Sequence, residues 1–356
     1  MTFHSDEETQ VFGWNKVFEY FIVCVAIPLS IVGILGNIAI LYKFAYVKSV
    51  SRTQYETLLL ALSVADLVCM VVTPNVFAYG TITRFRSWHG GTAGCKFVLS
   101  VLPMNVTVTQ GLLIIISFQR YRALTKPLSP FIFTKAKLIF WVGICLLSAL
   151  VFVSPYAYSL EVVSEPTHAT MTCTTPGEKS NYLLAFASIN VARDIITTAI
   201  LSVTGLFTTK ALNDTIDGIA TRNSNESWKN SRIMSTIRVR KLLRNMITVF
   251  CFCTLPLDFF QFALYVAFKI LGPIEVKIYE VLRNINTVLF LLQASNSAAN
   301  IFIYARTHED FKSWSKKIRR RLRMEDKNSF QNSVPCTEDD VAIQMTSLSK
   351  PCQERD

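Results

Sequence analysis

The side chains in this sequence that could carry chemistry are a pair of cysteines, an isolated carboxylate and an arginine, placed in or beside long apolar stretches. Cys95 and Arg120 lie at the two ends of one such stretch. At about 1.5 Å per residue, a helix between them covers roughly 37 Å, which is enough to cross a bilayer. Asp66 lies near the middle of another apolar stretch, where a charge costs at least about 2.5–3.5 kcal/mol, so it should face other helices and have partners there.

A catalytic centre is not indicated. The four histidines, His4, His89, His168 and His308, are scattered over separate segments. No pairing of a nucleophile with a base is evident, and the sequence predicts that the protein is not an enzyme.

The elements that position these side chains are membrane spans. The chain is 51% hydrophobic and only 17% charged, with a mean hydropathy of +0.35, whereas soluble domains carry about 25% charge. Seven apolar stretches are each long enough to span a bilayer. They cover residues 17–45, 55–80, 92–124, 136–159, 180–211, 236–268 and 277–305.

The positive charges predict the orientation. Most Lys and Arg residues lie in or beside the loops after spans one, three and five and in the segment after span seven, which places those segments in the cytosol and residues 1–16 outside the cell. No cleavable signal precedes span one, so that span is expected to serve as an uncleaved anchor. The net charge of +11 follows from this topology and does not indicate binding to nucleic acid.

Of the nine cysteines, this topology leaves only Cys95 and Cys173 facing the oxidising exterior. We expect a disulfide between them, tying the loop between spans four and five to span three; two free thiols are the alternative. That loop, residues 159–180, has two segments rich in β-forming residues around a turn-like Glu165-Pro166-Thr167-His168. It predicts a β-hairpin, with an irregular loop as the alternative.

Several motifs in order resemble those of the rhodopsin-like (class A) G-protein-coupled receptors over about residues 17–323, most like invertebrate neuropeptide receptors. The matching residues are Gly36-Asn37, Leu62-Ser63-Val64-Ala65-Asp66-Leu67, Gln119-Arg120-Tyr121, Trp141, Phe250, Cys253, Pro256, Asn300 and Tyr304. The resemblance implies a plasma-membrane receptor that crosses the bilayer several times. Three positions depart from the family pattern: Gln119 replaces an acid, Thr254 a tryptophan and Ile301 a proline.

The resemblance implies a polar interior site that holds a sodium ion around Asp66. Its members are Asp66, Asn37, Thr109, Asn296, Ser297 and Asn300. Hard oxygen ligands suit this ion. A protonated Asp66 in an ordinary hydrogen-bond network is the alternative.

The resemblance also implies a cytosolic site for a heterotrimeric G protein. Its residues are Arg120, Tyr121, Leu128, Arg240, Lys241 and Tyr304. For the basic residues that enter span six, contact with lipid headgroups is an equal alternative. Gln119 cannot form an ion pair with Arg120, so the resting state is expected to be less firmly held than in relatives.

Two features of the sequence restrict the class of ligand. Amine receptors of this family carry an aspartate where Leu102 stands, and a light sensor needs a lysine in span seven, where residues 284–304 have none. The expected ligand site is Asn75, Tyr79, Leu102, Arg193, Asp194, Asp258, Gln261, Glu280, Arg283 and Asn286. Charges of both signs favour a short peptide. An internal network of Arg193, Asp194 and Asp258 is the alternative.

The segments after span seven are read as two further regions. Residues 306–323 place Phe311, Trp314, Ile318 and Leu322 on one face and basic residues on the other, which predicts an amphipathic helix on the inner leaflet. Residues 324–356 are polar and rich in Ser and Thr, and are expected to be a disordered tail for receptor kinases and arrestin.

The sequence thus predicts an all-α membrane protein: a seven-transmembrane helix bundle over 17–305, with an amphipathic eighth helix and a β-hairpin in the second extracellular loop. Its expected function is to bind an extracellular peptide, such as a short neuropeptide, and to activate a G protein. A chemosensory receptor for small odorants is an alternative. A seven-span transporter or channel is disfavoured, because inverted repeats are not evident.

Overall fold

Seven long helices and one hairpin make up the fold in the computed structural model. The structure describes residues 8–47, 54–83, 88–125, 135–165, 170–176, 179–220, 226–272 and 276–307, together with six positions between 311 and 320. The helices are α1 (Glu8–Tyr42, continued by a π-helical turn, Lys43–Val47), α2 (Gln54–Ile82), α3 (Gly91–Thr125), α4 (Lys135–Ser159), α5 (Ser180–Ala220), α6 (Glu226–Leu271) and α7 (Val276–Thr307). All seven are long and apolar enough to cross a membrane, which confirms the predicted seven-helix bundle.

The helices α5 and α6 extend further than the apolar spans predicted. The sequence placed a loop at about 212–235, yet α5 continues to Ala220 and α6 begins at Glu226. Hydropathy reports only the part of a helix that lies in lipid, whereas polar residues extend the same helix into water. The predicted loop was therefore too long.

Helix α3 lies at the centre of the bundle. In the most apolar stretch of α3, 72% of the residues are buried, whereas only 22% are buried in the corresponding stretch of α4. It contacts α2, α4, α5 and α6, while α1 packs against α2 and α7. Polar residues of α3 are consequently placed where they meet side chains from several other helices.

Prolines lie inside five of the helices: Pro28, Pro74, Pro103, Pro155 and Pro256. Such prolines are tolerated in membrane helices because neighbouring groups satisfy the freed carbonyls. Gly272 ends α6 with a φ of 75°, and its N–H donates to the carbonyl of Phe268 at 3.2 Å. This is a left-handed helix cap that glycine forms without strain.

The hairpin consists of β1 (Glu161–Glu165) and β2 (Thr170–Thr174), paired antiparallel with Val162 opposite Cys173. The β-hairpin predicted from the sequence is therefore confirmed. We call the end of the bundle that carries these strands the hairpin end, and the end that carries Arg120 the opposite end.

The six described positions after α7, which include Phe311 and Trp314, are helical. The rings of Phe311 and Trp314 lie 5.3 Å apart. The rest of the predicted amphipathic helix and the tail 324–356 lie outside the described residues.

Candidate functional site

A disulfide fixes the hairpin to the top of α3. Cys95 and Cys173 are bonded across a sequence separation of 78 residues, with their Cα atoms 5.7 Å apart. The predicted bridge is confirmed. A second tie is formed by the backbone N–H of Trp88, which donates to the carbonyl of Met171 at 2.7 Å. Both ties hold β2, and β1 is held through its pairing with β2.

The base of the hairpin carries an ion pair. The Lys179 ammonium donates to the carboxylate of Glu161 and also lies 4.7 Å from the ring centroid of Tyr158. This hydrogen bond lowers the pKa of Glu161 and raises that of Lys179 relative to their ordinary values. Both groups therefore remain charged at neutral pH.

Three adjoining pockets open beneath the hairpin. The first is lined by Tyr79, Trp88 and Cys173 among others. The second includes Leu102, whose side chain is buried. The third lies between α3, α5, α6 and α7 and includes Arg193, Asp258 and Gln261. Four predicted ligand residues besides Tyr79 thus line one connected region.

Arg193 is the centre of a buried group of polar side chains that we call the Arg193 cluster. It comprises Thr107, Gln110, Arg193, Asp194 and Asp258. The guanidinium of Arg193 donates to Asp194 Oδ1 through Nε at 3.2 Å and through Nη2 at 2.9 Å, and to Thr107 Oγ1 through Nη1 at 2.7 Å. Gln110 also donates to Asp194, and Asp258 Oδ2 lies 3.7 Å from Arg193 Nη2. The cluster connects α3, α5 and α6.

The remaining predicted ligand residues are arranged differently. Gln261 Nε2 donates to Asn286 Oδ1 at 3.4 Å, which joins α6 to α7. Asn75 instead donates to Ser30 Oγ at 3.1 Å, so its amide is directed toward α1. Glu280 and Arg283 lie in the first turns of α7 and are not among the residues that line the three pockets.

A second buried group of polar side chains is the Asp66 cluster. It comprises Asp66, Asn105, Ser297 and Asn300. Asn105 Nδ2 lies 3.3 Å from Asp66 Oδ1 and 2.9 Å from Ser297 Oγ, and Asn300 Nδ2 donates to Asp66 Oδ2 at 2.6 Å. Asn37 joins the cluster by donating to the carbonyl of Ser297 at 3.1 Å. The carboxylate therefore connects α2 to α3 and α7.

The residues around Asp66 fit a small hard cation. Thr109 Oγ1 and Asn105 Oδ1 are buried and have no hydrogen-bond partner within the described part of the chain. They lie one helical turn apart on α3, on the face that meets Asp66. Asn296 is also buried, in α7. Unused oxygen atoms beside a carboxylate are the ligands that sodium takes.

At the opposite end, two neutral contacts of α3 are described. Gln119 Nε2 donates to Gln54 Oε1 at 3.0 Å, which ties α3 to the start of α2. Tyr121 packs against Phe207 of α5, with ring centroids 6.1 Å apart. Tyr304 is fully buried in α7, and Lys241 is exposed on α6. Leu128 and the side chains of Arg120 and Arg240 lie outside the described residues.

Sequence reasoning missed three partners, all on α3. Asn105 was not assigned to the Asp66 cluster, and Thr107 and Gln110 were not assigned to the Arg193 cluster. All three are buried. A polar side chain in the middle of a central span must face other helices, and this signal could have found them.

Seven membrane-length helices, a hairpin bridged to the third helix and a buried polar core define a seven-helix membrane receptor. Residues 36–304 match the seven-transmembrane receptors of the rhodopsin family, and the chain belongs to this family. Its members are signalling receptors and not enzymes. The protein is accordingly a membrane protein that crosses the bilayer several times.

Relatives are distant. The chain is 22% identical to the type-1 angiotensin II receptor A of Xenopus laevis over 98% of both proteins. It is 28% identical to the human C-C chemokine receptor type 7 over 52% of this chain and 46% of that protein. It is 34% identical to the bovine muscarinic acetylcholine receptor M3, but only over 33% of this chain and 19% of that protein.

Proposed function

We propose that this protein is a plasma-membrane receptor that binds an extracellular peptide at the hairpin end and activates a heterotrimeric G protein at the opposite end. Its amino terminus would lie outside the cell. The observation that carries this proposal is the row of adjoining pockets beneath a disulfide-bridged hairpin, which has the charged side chains Arg193 and Asp258 in its third pocket. A relative that aligns along nearly the whole chain is named for angiotensin II, which supports a peptide ligand.

An amine ligand is disfavoured by Leu102. This residue lines a pocket, is only 2% exposed and cannot pair with an ammonium group. Both charged residues of the third pocket, Arg193 and Asp258, lie instead on α5 and α6. A peptide that reaches down from the hairpin would meet them with a polar side chain or terminus.

We further propose that the Asp66 cluster holds a sodium ion in the resting receptor. Asp66, Asn105, Thr109 and Ser297 would supply the oxygen ligands. The ion would neutralise a carboxylate that is otherwise buried among neutral groups. The carboxy-terminal tail would serve receptor kinases and arrestin after activation.

The experiment is a screen of a peptide library on cells that express the receptor, with calcium and cyclic-nucleotide readouts. The proposal predicts a response to particular peptides that is absent from untransfected cells. Arg120→Gln is the matched control, since it should abolish signalling while peptide binding at the cell surface is retained. A library-wide lack of response, together with a response to small volatile compounds, would support the chemosensory alternative and contradict a peptide ligand.

A further inference from the structure

The Arg193 cluster contains two carboxylates and one guanidinium, so its formal charge is negative. The two carboxylates, Asp194 and Asp258, differ in how closely Arg193 approaches them. Asp194 Oδ1 accepts hydrogen bonds from Arg193 Nε, Arg193 Nη2 and Gln110 Nε2. Asp258 is approached by Arg193 only at 3.7 Å, which is beyond hydrogen-bond distance. The positive charge of Arg193 is thus used mainly by Asp194.

Asp258 is left with unused binding capacity. Its side chain is almost completely buried beside Asp194 and Gln293, and its Oδ2 atom has no hydrogen-bond partner within the described part of the chain. A buried charge without a full partner is costly in a membrane protein. Asp258 also lines the third pocket, so a ligand group that enters this pocket can reach it.

The pocket walls suit a flat cation. Tyr156 and Phe186 both line the pocket, and their rings stack with centroids 4.8 Å apart. The ring faces that are not used in this stack attract guanidinium and ammonium groups that enter the pocket. Gln261 and Gln293, on α6 and α7, add amide groups to the same lining.

We propose that Asp258 is a subsite for one cationic group of the ligand, a guanidinium or a primary ammonium. The incoming cation replaces Arg193 at Asp258, while Arg193 remains bound to Asp194. The exchange removes the direct charge contact between α5 and α6, and the ligand then connects the two helices. This inference rests on the proposed function, because it assigns a chemical class to the ligand of the same pocket.

The test uses the purified full-length receptor in lipid nanodiscs, with thermal unfolding followed by tryptophan fluorescence. The probes are N-acetyl-arginine amide and N-acetyl-lysine amide at millimolar concentration. N-acetyl-citrulline amide is the neutral control, since it has the shape of the arginine probe without its charge. We expect at least one cationic probe to raise the Tm by roughly 1–3 °C, and citrulline to leave it unchanged. The difference between the arginine and lysine arms shows which cation the subsite prefers.

Two variants should move the response in opposite directions. Asp258→Asn should abolish the shift given by the cationic probe, whereas Arg193→Gln should increase it, because the internal competitor is gone. Asp258→Glu keeps the charge and should keep a shift, which guards against an Asp258→Asn variant that does not fold. Asp214→Asn is the matched control: Asp214 is an exposed carboxylate far along α5, and its loss should change nothing.

Equal shifts with arginine and citrulline, a cation shift that persists in Asp258→Asn, or no shift with any cation would overturn the subsite. These results do not depend on a G protein. A receptor that responds to peptides but ignores the charge of the probe retains the proposed function and loses the subsite. A receptor that binds the cationic probe at Asp258 yet responds to no peptide retains the subsite and loses the peptide ligand.

Discussion

At the scale of single residues, the account depends on two buried carboxylates with different surroundings. Both oxygens of Asp66 meet amide donors from α3 and α7, whereas the nearest cation to Asp258, Arg193, lies 3.7 Å away and the carboxylate of Asp194 is a neighbour. The same residue type therefore serves different purposes. Asp66 joins helices to one another, and Asp258 faces a pocket.

Asp66→Asn should weaken the effect of sodium on agonist affinity. The substitution removes the charge and keeps nearly the same shape. Allosteric couplings of this kind are typically about fivefold or more, so agonist affinity in sodium and in a large organic cation should differ clearly in wild type and become equal in the variant. Ser148→Ala, which alters a hydroxyl bonded within its own helix α4, should keep the difference. If wild-type affinity is the same in the two salts, there is no sodium site at Asp66.

Gln119→Glu should lower signalling in the absence of agonist. An acid beside Arg120 supplies a charge partner that glutamine lacks. An exposed ion pair contributes about 0.2–1 kcal/mol, which corresponds to a decrease of roughly 1.4- to fivefold in the ratio of active to inactive receptor. Basal signalling at matched surface levels is the measurement.

The control for this variant is Gln54→Leu. It removes the hydrogen bond between Gln54 and Gln119 without adding an acid, so it should not lower basal signalling. Equal basal signalling from wild type and Gln119→Glu would show that Gln119 does not set the resting equilibrium. The substitutions Thr254 and Ile301 would then be the positions to test.

At the scale of elements, the disulfide contributes more than the ion pair at the base of the hairpin. Closing a loop of 78 residues is worth about 2–4 kcal/mol in the usual range, whereas an exposed ion pair contributes little. Cys95→Ser or Cys173→Ser should therefore cut surface delivery or ligand response strongly. Glu161→Gln, which removes the partner of Lys179, should have a small effect. Normal signalling from the double cysteine variant would show that the hairpin does not need its bridge.

Helices α3 and α4 approach closely at Gly111. A Cβ atom added there would lie 2.6 Å from Sγ of Cys145, whereas one added at Gly143 of α4 would meet nothing within 4 Å. Both Gly→Ala changes gain the same helix propensity of about 1 kcal/mol, so their difference reports packing. Gly111→Ala should have the lower Tm, by several degrees, because overpacking costs about 1–3 kcal/mol. An equal Tm for the two variants would mean that α4 shifts at no cost.

The ends of a helix were predictable where they coincide with the ends of its apolar span. Helix α2 was predicted at 55–80 and is observed at Gln54–Ile82, and the hairpin was predicted from its β-forming residues. The extensions of α5 and α6 were not predictable from hydropathy, since they lie beyond the apolar segments. The direction of Asn75 was also not predictable, because it depends on which hydroxyl a neighbouring helix brings near.

The sequence was sufficient to predict the charged residues of the site, but it did not predict which of them contact one another. The sequence identified Arg193, Asp194 and Asp258 as charged residues within membrane spans. Only the packing of the helices shows that the guanidinium of Arg193 forms hydrogen bonds with Asp194 and not with Asp258. It identified Asp66 and Asn300 as members of a polar group, and packing added Asn105. Contacts between helices depend on rotation about each helix axis, which a single sequence does not specify.

At the scale of the whole molecule, the two clusters share α3, where Asn105 of one cluster and Thr107 and Gln110 of the other lie within five residues of one another. The Arg193 cluster connects α3, α5 and α6 beneath the pockets, and the Asp66 cluster connects α2, α3 and α7. Helix α3 takes part in both and ends at Gln119 and Arg120. A ligand that binds one arrangement of these helices better than another shifts the population toward it.

The most direct test of this account is nucleotide exchange on purified heterotrimeric G proteins. The receptor is reconstituted in nanodiscs and combined with each G-protein class, with and without a peptide that is active in the screen. We predict that the peptide accelerates exchange on at least one class and that Arg120→Gln, at equal peptide binding, does not. A peptide that binds the wild-type receptor and accelerates exchange on none of the classes would contradict the central claim that this bundle transmits a signal from the hairpin end to a G protein.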